Sequence, residues 1–145
     1  QFLFYERLKK SNCQSLSDIA YKSIKEVKYH LRHSTNWLIR LGDGTNESNS
    51  KVQNALNEIW KYTDELFVLD DLDQIMIRDG VGVNTLELKS EWKNLVDKAL
   101  ADAKLKVPKN TKMVYGGKQG KHTNSFKELI SEMQSITRKY SDAKW

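Results

Sequence analysis

Apolar residues along the chain fall mostly at helical spacing. The longest run lies between Ser15 and Gly42, where Leu16, Ile19, Ala20, Ile24, Val27, Leu31, Leu38 and Leu41 repeat with the 3.6-residue period of one helix face. A helix of that extent is about 40 Å long. Ser15 with Asp18 three residues on predicts its start, and Gly42 its stop. Val27 and Leu31 are placed inward. A second stripe of Glu26, His30, His33 and Trp37, at i, i+4, i+7 and i+11, is placed at the edge of the buried face. A carboxylate and imidazoles there are the donor types a metal-binding bundle uses.

The same reading divides the rest of the chain. Gln1 to Lys10 has the apolar density of a helix end, and the chain is expected to begin mid-domain, joined to the long helix by the connector Ser11 to Gln14. Thr45 is the expected N-cap of a helix reaching about Phe67, with Val52, Leu56, Ile59, Thr63 and Leu66 inward. Asp70, Asp71 and Asp73 lack the glycine and distal glutamate of a calcium-binding loop. Gly80 and Gly82 mark a break, and Asn84 with Glu87 predicts the cap of a helix carrying Trp92, Leu95, Val96, Ala99 and Leu100. Ser125 with Glu128 predicts the cap of a last helix with Phe126, Leu129, Ile130, Met133, Ile136 and Tyr140 on one face.

Composition narrows the class. Four Trp, six Tyr and four Phe suffice for a core, while one Pro and seven Gly are few for a β-rich chain, so the fold is expected to be all-α and a single helical domain over residues 1–145. Cys13 is alone, so no intramolecular disulfide forms. No apolar run reaches the roughly 18 residues of a membrane span. The chain reads as a cytoplasmic protein with no membrane partner.

Charge adds one feature. The net charge is +5, yet Lys104 to Trp145 holds ten Lys or Arg against three acids, and Lys104 to Lys121 holds six Lys and no acid. Lys109, Lys112, Lys118, Lys121 and His122 are therefore candidate contacts for an acidic partner surface or for phosphates. Nucleic acid is the weakest fit, because no Arg-rich helix or aromatic-interleaved strand accompanies the lysines. Gly116 to Thr123 misses a phosphate loop: three residues separate Gly116 from Gly120, and His122 rather than Ser or Thr follows Lys121.

Several stretches taken together resemble one family: Lys25 to Arg32, Arg40-Leu41-Gly42-Asp43-Gly44-Thr45, Glu65-Leu66-Phe67, Gly116 to Thr123, and Glu132-Met133-Gln134. In order and spacing they resemble the C subunit of bacterial phenylacetyl-CoA 1,2-epoxidase, the ring-oxygenase complex of phenylacetate catabolism. The resemblance implies the C-terminal part of a ferritin-like helical bundle followed by additional C-terminal helices. Gln1–Lys10 would then be the tail of the third bundle helix and Ser15–Gly42 the fourth.

Catalytic bundles of this kind carry Glu-x-x-His on that helix. Here Glu26 is followed at i+3 by Tyr29, and His30, one residue later, is rotated by 100°. Glu26, Tyr29 and His30 thus read as a degenerate site holding no metal, with no catalytic residue in the chain. Residues and resemblance together imply a non-catalytic structural subunit beside a catalytic A subunit that holds the di-iron cofactor. An active di-iron carboxylate oxygenase is the alternative, and a basic nucleic-acid-binding module a weaker one. Glu26 is expected to pair with Lys or Arg, His30 and His33 to be hydrogen-bonded packing residues, and Trp37 and Trp60 to lie in the core or face a partner.

Overall fold

The computed structural model describes residues 1–144, and every regular element among them is helical. The all-α expectation is borne out. The elements are α1 (Phe2–Leu8), α2 (Gln14–Gly42), α3 (Asn46–Ile59), α4 (Asp71–Arg78), α5 (Lys89–Asp102), α6 (Asn124–Met133) and α7 (Ser135–Lys139). Short 3₁₀ turns lie at Trp60–Tyr62, Asp64–Phe67, Thr85–Leu88 and Gly117–Gln119. The chain forms two compact units, Gln1–Val114 and Tyr115–Trp145.

In the first unit α2 is the long element, and both of its ends differ from expectation. It starts after Cys13, without a side-chain cap; Gln14 Nε2 instead donates to Asp18 Oδ1 at 2.8 Å. Gly42 does not stop it by turning left-handed. It is the last helical residue, buried, and Asp43 closes the end by donating its N–H to the Ile39 carbonyl at 2.8 Å. The glycine serves proximity: a Cβ on it would lie 2.2 Å from the Ala103 carbonyl oxygen.

α1 runs antiparallel to α2, since Ser17 Oγ donates to the Lys9 carbonyl at 2.7 Å while Lys28 Nζ stands 5.8 Å from the Phe2 ring. Ala20, Ile24 and Val27 of α2 are buried, as the periodicity predicts. Ile19 and Leu41 are exposed, and Leu31 is 38% exposed. The periodic stripe is therefore wider than the surface its neighbours cover.

One core cluster joins Leu3, Phe67 and Leu88, with Phe2, Phe4, Val83 and Trp92 against it. A second joins Leu100, Ala103 and Leu105, with Leu38, Ile39, Val52, Leu56, Trp60 and Val96 around it. Trp60 and Trp92 lie 6.0 Å apart, and Phe67 meets Trp92 edge-on at 5.2 Å, so the aromatics tie the clusters together.

Thr45 caps α3 as expected, in a reciprocal box: Ser48 N–H donates to Thr45 Oγ1 at 3.1 Å and Thr45 N–H to Ser48 Oγ at 3.0 Å. α3 ends at Ile59, short of Phe67, and passes into 3₁₀ turns, which leaves Ile59 and Leu66 exposed rather than inward. The three aspartates open α4, where Asp70 and Asp73 form a second capping box. Asn84 does not cap α5 directly; it precedes a 3₁₀ turn, and its Nδ2 donates to Glu87 Oε1 at 2.8 Å. Leu95 of α5 is exposed while Leu100 is buried at 3%.

In the second unit, Gly116 and Gly120 are left-handed and bracket a 3₁₀ turn. The Gly116 carbonyl accepts from Gln119 N–H at 3.0 Å and Lys121 N–H at 2.9 Å, which closes the loop on itself. Thr123, not Ser125, stands at the N-cap of α6, and the expected last helix is broken at Gln134 into α6 and α7.

Candidate functional site

Glu26, Tyr29 and His30 lie on the exposed side of α2, opposite Ala20, Ile24 and Val27, and not at the edge of the core. The reason is angular. Val27 is buried; Glu26 and Tyr29 stand 100° and 160° around the helix from it, and His30, 60° from it, lies on the side away from Ile24. Glu26 Oε1 is 3.6 Å from His30 Nε2, with side chains 77% and 58% exposed. Glu26 therefore pairs with an imidazole rather than with the Lys or Arg expected.

His30 and His33 are not packing residues. His33 stacks on Tyr29 with centroids 5.8 Å apart and meets Trp37 edge-on at 6.4 Å. Arg32 lies 5.6 Å from the Tyr29 ring and Arg40 5.6 Å from the Trp37 ring. The exposed face of α2 is thus an ordered ladder of rings and guanidinium groups. Trp37 is 48% exposed, whereas Trp60 is half-buried against the second core cluster.

The donor set does not fit a two-metal centre. Its Glu, Tyr and His come from one helix, and two bridged ions draw carboxylates and imidazoles from four. Among the described residues no group of three or more His, Cys, Asp or Glu side chains is arranged so that it could hold a metal ion.

An apolar groove of about 590 Å³ opens between α1, α2 and α5. Leu31, Thr35 and Leu38 line one wall, Leu95, Val96 and Ala99 another, and Phe2 and Tyr5 one end. The periodicity of α2 and α5 carried these residues, but nothing in it distinguished groove wall from covered core.

The candidate lysines divide between the two units. Lys109 and Lys112 lie on an extended strap, residues 104–114, in the first; Lys118, Lys121 and His122 lie in the second, where His122 stacks on Phe126 at 3.9 Å. The strap is laced to α3 by side-chain amides. Gln53 Nε2 donates to the Lys106 carbonyl at 2.9 Å, and Lys106 N–H donates to Gln53 Oε1 at 2.8 Å. Asn49 Nδ2 donates to the Lys104 carbonyl at 3.4 Å, and beyond α3 Val114 N–H donates to the Lys61 carbonyl at 2.8 Å. Lys104 pairs with Asp43. Sequence reading missed Asn49 and Gln53, whose only signal is two amide side chains at i and i+4.

Residues 1–145, the whole chain, match the family described as phenylacetic acid catabolic protein. The chain belongs to that family. The C subunit of the 1,2-phenylacetyl-CoA epoxidase of Escherichia coli (strain K12) is 38% identical over 141 residues, which cover 97% of this chain and 57% of that relative. The chain therefore spans less than two thirds of the relative's length. In this member of the phenylacetic acid catabolic family, the ladder on α2 and the lysine strap are exposed, organised features among the described residues. No helix among the described residues is long and apolar enough to cross a membrane.

Proposed function

We propose that this chain is part of a subunit of a multicomponent phenylacetyl-CoA epoxidase and serves there as a non-catalytic scaffold for a catalytic A subunit that holds the di-iron centre. The carrying observation is the pairing on α2. Tyr29 stands where a second metal ligand belongs, and the carboxylate of Glu26 is turned to His30 at 3.6 Å on an exposed face. That face supports a docking role: Tyr29, Arg32, His33, Trp37 and Arg40 are the residue types that anchor protein interfaces. Stacking holds them in place before a partner arrives, which lowers the ordering cost of association. The complex acts on a CoA thioester of an aryl acid.

The test is co-expression with the catalytic subunit, followed by iron analysis and turnover of each chain alone and of the complex. The expected result is a complex with iron on the catalytic subunit and activity that needs both chains. Stoichiometric iron on this protein alone, with turnover, would establish the active-oxygenase alternative instead.

A further inference from the structure

We propose that the strap from Lys106 to Met113 is a binding edge for the phosphate groups of coenzyme A, a reading that rests on the CoA-thioester assignment above. Coenzyme A carries a ribose 3′-phosphate and a diphosphate at the end remote from its sulfur. A site for that end needs cations and N–H donors and no nearby carboxylate.

The strap supplies the cations and the N–H donors, and its own sequence contributes no carboxylate. Lys106, Lys109 and Lys112 are exposed and make no ion pair among the described residues, unlike Lys104, which Asp43 neutralises. The backbone N–H groups from Lys109 to Met113 donate to no group among the described residues. Asn110 is left-handed at φ 56°, a conformation that lets consecutive N–H groups converge on an anion. No acid occurs between Lys104 and Lys121.

Such a segment would be a wandering loop if it were free, but it is held. Gln53 pairs with both polar groups of Lys106 as a neighbouring strand would, and the Val114 bond to Lys61 fixes the far end. Gln53 is therefore a positioning residue: it carries no charge and touches no ligand, yet it sets where the lysines stand. Unpaired backbone donors favour phosphate over an acidic protein surface, which lysine side chains alone would satisfy.

The experiment is calorimetric titration of the protein at low ionic strength with coenzyme A, with dephospho-coenzyme A, which lacks the 3′-phosphate, and with a poly-glutamate peptide. Coenzyme A is expected to bind more tightly than the dephospho form. Lys109→Glu with Lys112→Glu should weaken it about tenfold, while the same charge change at Lys127→Glu with Lys144→Glu leaves it within about twofold. Gln53→Ala should weaken binding at unchanged net charge. Thermal unfolding of each variant identifies any loss that comes from misfolding, and Gln53→Asn then replaces Gln53→Ala.

No binding of coenzyme A, equal loss in the two charge-reversed proteins, or tighter binding of poly-glutamate would each overturn the proposal. If coenzyme A binding fails while co-purification with the catalytic subunit persists, the strap proposal alone falls. If binding persists without co-purification, the scaffold reading alone falls.

Discussion

Glu26 Oε1 and His30 Nε2 face each other on the solvent side of α2, at 3.6 Å and one helical turn apart. An exposed pair of this spacing contributes at most a few tenths of a kcal/mol. Glu26→Ala should therefore shift the unfolding free energy by less than about 0.5 kcal/mol. Denaturant titration of the variant checks this, and a loss of several kcal/mol would mean the carboxylate is buried or ligates something.

Leu31 and Leu100 separate the two kinds of apolar position. Leu100 is 3% exposed within a core cluster, so Leu100→Ala should cost about 2–5 kcal/mol through lost burial and a residual cavity. Leu31, 38% exposed on the groove wall, should cost less than about 2 kcal/mol when truncated. Equal losses in the two variants would place Leu31 in covered core.

Glu6 couples α1 to α2 through charge. Its carboxylate is 2.5 Å from Lys9 Nζ and 3.8 Å from Lys28 Nζ. The hydrogen bond from Lys9 is the main reason its pKa lies below the ordinary value of 4.5, with the charges of Lys9, Lys28 and Arg7 acting the same way. A lowered folded-state pKa contributes stability above the unfolded value, and that stability is lost as pH falls through the folded one. The melting temperature of Glu6→Gln should thus lie below that of the parent at neutral pH and converge with it as pH falls below the ordinary carboxylate range. A difference that persists in acid would point to packing instead of charge.

Gly42→Ala tests the crossing of α2 and the turn after α5. Its Cβ would sit 2.2 Å from the Ala103 carbonyl oxygen and 2.9 Å from the Ala103 Cβ. Backbone must move to admit it, at about 1–3 kcal/mol or more. Helix propensity alone would make this substitution stabilising by up to about 1 kcal/mol, so the sign of the change, read by denaturant titration, decides between the two effects.

Local signals were legible where one short-range rule governs. The period of α2 located Ala20, Ile24 and Val27 in the core, and Thr45 capped α3, because both depend on neighbours within a turn or two. Gly42 was misread because a glycine after an apolar run ordinarily marks a left-handed cap, and only the distant Ala103 reveals its other use. Glu26, His30 and His33 were set too near the core for a related reason. Periodicity ranks faces, but which flank a neighbour covers is decided by packing between elements far apart in sequence. The long helix expected to reach Phe67 failed at Ile59, where the chain tightens into 3₁₀ turns that bring Phe67 into the first core cluster. For the candidate site, Tyr29 at the i+3 position stood out once the family resemblance implied a Glu-x-x-His pattern on that helix. The lacing of the strap by Gln53 was not, since a glutamine paired to backbone 53 residues away leaves no periodic trace.

The contrast between Trp37 and the Trp60–Trp92 pair equips the protein with two optical reporters. Trp37 stands half in water on the outer ladder of α2, so its emission is red-shifted and moves to the blue when a partner covers it. Trp60 and Trp92, 6.0 Å apart between the core clusters, keep their emission through such docking and change it only when the clusters separate. With Trp145→Phe to remove the terminal indole, one emission spectrum resolves assembly from unfolding without an attached dye.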